Sequence, residues 1–253
     1  QNNMMPNILY LTRNGLLEPL GQSQILSYMR MLSQHHSITV ISFEKSKDWK
    51  DITRVAALRA ECDQLGIRWK PLRFFSRPKF IAPALGMICL FLLSLREYRA
   101  RGINLIHARS LLPAIVALLV SRITSVPFIF DMRALWPEEL ITAGRIRRDS
   151  LLHRILVFSE RTCIARADAV VSLTKAAVDY LNHVFPAELA AKHVVVIPTC
   201  ADLDRFIPTA KTSSLQVIGC LGSVLSGWFR IDWLASFLFV AAKHNPKLLF
   251  EIT

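Results

Sequence analysis

NLIHARSLLPAIVALLVSRITSVPFIFDMR, residues 104–133, is the stretch that decides the fold. A short β-rich run (NLIHA) passes into a helix-length apolar segment at 112–123 and returns to a second short run (PFIFDM from Pro127). Two such runs joined by a helix are the sequence form of parallel strands linked by a crossover, which is right-handed in nearly all known cases. The apolar part of each run is followed at once by ionisable groups: His107 and Arg109 after NLI, Asp131 and Arg133 after PFIF. Unpaired buried charge is costly, so core packing explains these residues poorly. In an open α/β sheet, ligands bind beyond the carboxyl ends of the strands, where these groups fall. A structural ion pair, for instance Asp131 with Arg109, is the alternative.

The same alternation extends in both directions. Strand-like runs begin at Asn7 (NILYLT), Ile38 (ITVISF), Ile67 (IRWKPL), Ala169 (AVVSLT) and His193 (HVVVIP). Helix-patterned segments occupy 22–34, 49–65, 84–101, 150–166 and 175–182. Seven strands in one parallel sheet with flanking helices, an α/β Rossmann-like domain over residues 1–198, is the expectation. Residues 199–214, with Pro208 and the polar run TAKTSS, read as a linker. At 215–253 a new unit opens: LQVIGCLGS runs into a glycine turn, a helix follows at 231–244, and LLFEIT ends the chain. One β-α-β unit cannot cover both faces of a sheet, so the expectation here is the start of a truncated second Rossmann-like domain.

Composition narrows the class. Hydrophobic residues make up 52% of the 253, enough for a substantial core. The five cysteines form no CxxC pair and have no histidine at metal spacing, so neither a zinc site nor a disulfide framework is indicated, and a reducing compartment fits. The N-terminus lacks the pattern of a secretory signal, which fits the cytoplasm. A formal net charge of +12 implies attraction to a polyanion. Nucleic acid is disfavoured, because no helix-turn-helix, RNA-recognition or zinc-finger pattern occurs and the basic residues interleave with bulky aliphatics. Cations at Arg68–Lys79 and at Arg96, Arg99 and Arg101 flank FIAPALGMICLFLLSL, an all-apolar helix that is either sandwiched in the core or laid against an anionic membrane surface, the other candidate partner. At about 15 residues that apolar run falls short of the ~20 needed to span a bilayer.

The first strand leads into RNGLLEPLGQSQ, where Gly15 and Gly21 bracket Glu18 ahead of a helix. A glycine at 21 would let backbone approach a phosphate or sugar at the helix N-terminus; an ordinary strand-to-helix turn is the plainer reading. The spacing is neither GxGxxG nor a P-loop. WPEE (136–139) borders the same cleft or starts a helix with acids at its positive end.

Taken together, GLLEPLGQSQ, the two strand-end pairs, ADAVVSLT and above all VIPTCADLDRFIP (196–208) resemble the group 1, or family 4, glycosyltransferases, whose interdomain signature is usually VIPNGVDLDRFxP. The resemblance implies a GT-B architecture, with two Rossmann-like domains facing across a cleft. It also implies a nucleotide-diphospho-sugar donor held chiefly by the C-terminal domain, an acceptor held chiefly by the N-terminal one, retention of anomeric configuration, and no cofactor or tightly bound metal. By position it assigns Gly21 to the donor diphosphate; Gly222 and Ser223 are expected to join it on the donor side, and Gly15, Arg109 and Asp131 to line the acceptor side. Arg133 and His107 fall at the reaction centre, Arg133 where many members have histidine. Asp202 matches the linker aspartate. Thr199 and Cys200 depart from the usual Asn-Gly. Where the family often carries an Arg and a Lys after LGS, this chain has Arg230 as its nearby cation. The paired-glutamate donor motif would lie beyond Thr253, so the fragment alone is expected to be inactive. The acceptor is a glycan, a lipid-linked or a small molecule. Two other readings remain open: a noncatalytic membrane- or acceptor-binding module that needs no nucleotide, and a sugar-nucleotide epimerase.

Overall fold

In the computed structural model, residues 5–75, 77–78, 81–201, 203, 207, 216–222 and 229–252 are described. Strands β1 (Asn7–Thr12), β2 (Ser37–Lys45), β3 (Arg68–Phe74), β4 (Leu105–Arg109), β5 (Phe128–Met132), β6 (Ala169–Ser172) and β7 (His193–Val196) form one sheet in the order β3-β2-β1-β4-β5-β6-β7. Every neighbouring pair is parallel. The order reverses between β1 and β4, so a crevice opens there at the carboxyl edge. A separate two-stranded parallel sheet pairs β8 (Val217–Cys220) with β9 (Leu249–Ile252) across the helix Ile231–His244.

Period-two alternation distributes the side chains between two layers. Leu9, Leu11, Ala108, Phe128 and Phe130 enter the larger core, closed by helices Ile81–Arg101, Leu111–Thr124 and Leu151–Arg166. Tyr10, Ile38 and Val40 enter the smaller one with Ile25, Leu26 and Leu58, beneath helical residues 19–32 and Ile52–Gln64. Thr12, Arg109 and Asp131 share a register row, as do Tyr10 and His107 two residues earlier, so all five project from this second face.

Several boundaries differ from the expectation for local reasons. The segment expected to be helical at 49–65 divides into Ser46–Trp49 and Ile52–Gln64, because the Asp51 side chain accepts the Arg54 amide (3.0 Å) and restarts the helix. WPEE is a helix start, Trp136–Thr142, with Pro137 in its first turn. Pro186–Leu189 adds a short helical turn. The apolar helix begins at Ile81, since Pro83 is tolerated in a first turn, and spans 21 residues. It is therefore long and apolar enough to cross a membrane, with a mean hydropathy of 1.5, which corrects the expectation of too short a run. Its inner side is nonetheless committed to the protein: Leu90 and Ser94 are buried, and buried Glu97 lies 3.8 Å from both Lys70 and Arg101.

Candidate active site

β1 ends in Thr12, and the loop after it folds onto β2. Buried Glu44 accepts the amides of Leu16 (2.8 Å) and Leu17 (3.1 Å) and the Ser42 hydroxyl (2.6 Å), while Trp69 Nε1 donates to Ser42 (2.8 Å). Burial raises the Glu44 carboxyl pKa, opposed by those three hydrogen bonds. A Cβ at Gly15 would stand 2.4 Å from Glu44 Oε2. Gly15 is thus required where the loop presses on Glu44, and the two amides that follow it are already taken by a protein carboxylate.

Gly21 differs from its expected setting. It is buried inside a helical turn with ordinary right-handed geometry (φ −62°, ψ −43°), not on an open loop. A Cβ there would come within 1.9 Å of the Gly15 carbonyl oxygen and 2.7 Å of Leu16 Cα. The close approach that demands a glycine is helix to loop. Immediately after it, Gln22–Leu26 is π-helical, a form frequent at functional sites, and carries Gln24 toward the strand ends.

There the polar groups converge. Gln24 Oε1 accepts from Arg109 Nη2 (2.7 Å) and Arg133 Nη2 (3.4 Å). Asp131 lies 3.3 Å from His107 Nε2, 3.8 Å from Arg109 Nη1 and 3.6 Å from Arg133 Nη1. The Tyr10 and His107 rings are 4.6 Å apart. Burial first, then the Asp131 charge, push the Tyr10 hydroxyl pKa upward. The structural pair of Asp131 with Arg109 is therefore formed, but within a larger cluster of two guanidiniums and one carboxylate. Arg109 and Asp131 are 4% exposed, yet Arg109 Nε and Nη1, Arg133 Nε and Asp131 Oδ1 have no hydrogen-bond partner among the described residues. Polar atoms buried this deeply are normally satisfied, so the cluster is chemically unfinished and electropositive.

Arg133 stands where three cavities meet. One of about 270 Å³ is bordered by Tyr10, Tyr28, Met29, His107 and Asp131 as well as Arg133. A second of about 160 Å³ runs between Arg13, Ser110 and Trp136. A third of the same volume reaches Ser172 and Thr174. A larger cavity, about 510 Å³, lies instead between Pro19, Ser23, Arg54 and Glu61 and holds none of the strand-end groups. Ser110 adopts φ 75° and ψ 168°, a region nearly reserved for glycine, and its amide donates to the Asp131 carbonyl (2.9 Å). Such strain beside a polar cluster is common at functional sites.

His107, Arg109, Asp131 and Arg133 are thus brought together, with Gly15 and Gly21 beneath the helix that supplies Gln24. Gly222 follows β8, where its missing Cβ leaves room for the Phe229 ring (2.9 Å). Ser223 and Asp202 lie outside the described residues. Thr199 of the linker signature accepts from Arg133 Nη2 (3.4 Å), so that segment begins against the site. Arg13, Gln24 and Glu44 were missed by sequence reasoning. Arg13 and Glu44 each follow an apolar strand run, the same signal that singled out Arg109 and Arg133. Among the described residues, no group of three or more His, Cys, Asp or Glu side chains is arranged to hold a metal ion.

Comparison with known proteins gives the arrangement a context. The model of the glycosyl transferase 4-like domain matches residues 22–200. No curated protein matches the chain. Among solved structures, sucrose-phosphate synthase from Thermosynechococcus elongatus superposes with a TM-score of 0.62 at 14% identity, covering 98% of this chain and 62% of that one. Arabidopsis thaliana UGT89C1 complexed with UDP-L-rhamnose gives 0.56 at 12%, covering 99% and 69%. Anabaena HepE in complex with UDP and glucose gives 0.58 at 18%, covering 98% and 60%. These likenesses establish a shared GT-B fold, of which the chain spans about six- to seven-tenths of each neighbour's length. With the family model matched over most of its residues, the chain belongs to the glycosyl transferase 4-like family.

Proposed function

We propose that this chain forms the acceptor side of a glycosyltransferase that moves a sugar, with retention, from a nucleotide-diphospho-sugar to a glycan, lipid-linked or small-molecule hydroxyl. Residues 1–198 are the acceptor domain, 199–214 the linker and 215–253 the opening of the donor domain. The observation that carries this reading is the convergence of His107, Arg109, Asp131 and Arg133 at the β1/β4 switch point. The UDP-bound state of several fold neighbours supports a nucleotide-linked donor.

Departure of a nucleoside diphosphate leaves negative charge, so fixed cations and donors dominate catalysis. Arg133, bordering three cavities, and His107, paired with Asp131, orient the acceptor hydroxyl or the reacting sugar. Arg109 and Asp131 line the acceptor side. Gly222 and Ser223 belong to the donor side. Gly21 contributes to donor binding through the placement of its helix. The work is cytoplasmic and peripheral to the membrane, in polysaccharide or glycoconjugate synthesis, and the 253-residue chain alone does not turn over. In the whole enzyme, Arg133→Ala lowers transfer by about 100-fold or more and leaves donor Kd nearly unchanged. Unchanged turnover rejects the role. Anomeric configuration of the first product, read by NMR, tests retention.

A further inference from the structure

Helices Ile81–Arg101, Leu111–Thr124 and Leu151–Arg166 lie side by side over the larger core, so their outward sides form one surface. On the first, Ile81, Leu85, Ile88 and Leu92 are each more than half exposed and recur at helical spacing, continued by exposed Arg96 and Arg99. On the third, Leu151, Ile155 and Phe158 are likewise more than half exposed, followed by Arg161, which pairs with Glu188, and by exposed Arg166. The middle helix adds Leu119, Arg122 and Ile123. The three helices contain two acids, Glu97 and Glu160, and both are buried. Exposed Arg73, Arg77, Arg145 and Arg147 rim the opposite end, against one exposed acid there, Asp149.

Helices in a parallel α/β layer run opposite to the strands, so their N-terminal halves stand at the carboxyl edge of the sheet. The apolar side chains of the two outer helices lie in those halves, beside the edge that carries Arg109 and Arg133. The stripe from Ile81 to Leu92 is about 16 Å long. A side that is apolar in the middle, cationic at both ends and free of exposed helical acid complements one surface chemistry, the interface of an anionic bilayer.

We infer that this face, built from the outer sides of Ile81–Arg101 and Leu151–Arg166, docks flat on an anionic membrane, the apolar halves of both helices lying alongside the carboxyl edge of the sheet. Docking is independent of the transfer reading. That it delivers a membrane-borne acceptor to the rim rests on that reading.

The test is flotation of the 253-residue protein with vesicles of phosphatidylcholine alone or with about 30% phosphatidylglycerol, at low salt and at about 0.5 M. Binding to the anionic vesicles, lost by roughly tenfold in neutral vesicles or high salt, is expected. The double variant Ile88→Gln, Phe158→Gln loses at least about tenfold while its circular dichroism and Tm match wild type, because both side chains are exposed. Ile52→Gln, equally exposed but on the other face of the sheet, binds as wild type. Equal partition to neutral vesicles, no partition, an unaffected double variant, an Ile52→Gln loss as large, or a wild-type dimer dissolved by the double variant each overturns docking. None of these bears on Arg133→Ala, whose failure leaves docking intact.

Discussion

Replacing Gly21 with alanine separates two explanations of that residue by the sign of a stability change. Gly21 has right-handed helical dihedrals, so alanine meets no backbone strain, and by intrinsic propensity alone it would stabilise the helix by about 1 kcal/mol. Against this, the new methyl carbon would sit 1.9 Å from the Gly15 carbonyl oxygen. Ordinary contact between such atoms begins near 3.4 Å, so the helix must retreat by more than an ångström. Both obstructing groups are backbone, and Gly15 and Leu16 are pinned by Glu18 and Glu44, so the loop cannot yield easily. Overpacking of this kind costs about 1–3 kcal/mol and here disturbs the packing of Ile25, Leu26 and Met29 as well.

Because both obstructing groups are backbone, the upper end of that cost applies, and less the propensity gain the expected net result is a destabilisation of about 2 kcal/mol, a fall in Tm of roughly 4–8 °C for a chain of this size, measured by calorimetry without any ligand. A second consequence follows from the hydrogen bonds. Retreat of the helix draws Gln24 from Arg109 and Arg133, so transfer by the whole enzyme falls even for molecules that remain folded. A Gly21→Ala protein as stable as wild type, or more so, would falsify the packing account and return the glycine to ligand approach.

Gln24→Leu removes the acceptor shared by Arg109 and Arg133 and leaves two buried guanidiniums with less to hold them; a loss of about 1–3 kcal/mol in urea unfolding is expected, and Gln24→Glu, which restores the acceptor and adds charge balance, recovers it. Burial, then the Glu138 charge, raise the Glu160 carboxyl from 4.5 to about 8. Between those values the unfolded chain releases a proton that the folded chain keeps, so stability falls as pH rises from about 4.5 to 8, by something on the order of a few kcal/mol. Glu160→Gln flattens that slope in unfolding titrations at pH 5 and pH 8; an unchanged slope rejects the assignment to Glu160.

The sheet was legible because its inner strand runs β1, β2, β4 and β5 are apolar and carry buried residues on both faces, whereas the helices alternate with them at lengths that only crossovers require. The rule that located His107, Arg109, Asp131 and Arg133 is equally physical: a polar side chain directly after a buried strand sits at the edge where the sheet stops and a ligand can begin. Applied consistently, it also reaches Arg13 and Glu44, and the two turn out to serve different ends. Arg13 borders a cavity, and burial lowers its pKa. Glu44 instead ties down the loop after β1.

Gln24 was beyond reach. A glutamine in a helical segment reads as a solvated position, and only the folded chain shows the π-helical turn, directly after the contact between Gly21 and Gly15, that directs it to the arginines. The same contact explains why Gly21 was read for its permissiveness and not for its neighbour: a glycine announces that something comes close, while only the folded chain says what. Membrane length follows the same logic. Residues 81–101 suffice to cross a bilayer, and it is Leu90, Ser94 and Glu97, drawn into the core and held there by Lys70, that keep the helix along the sheet and leave only its outer side for lipid.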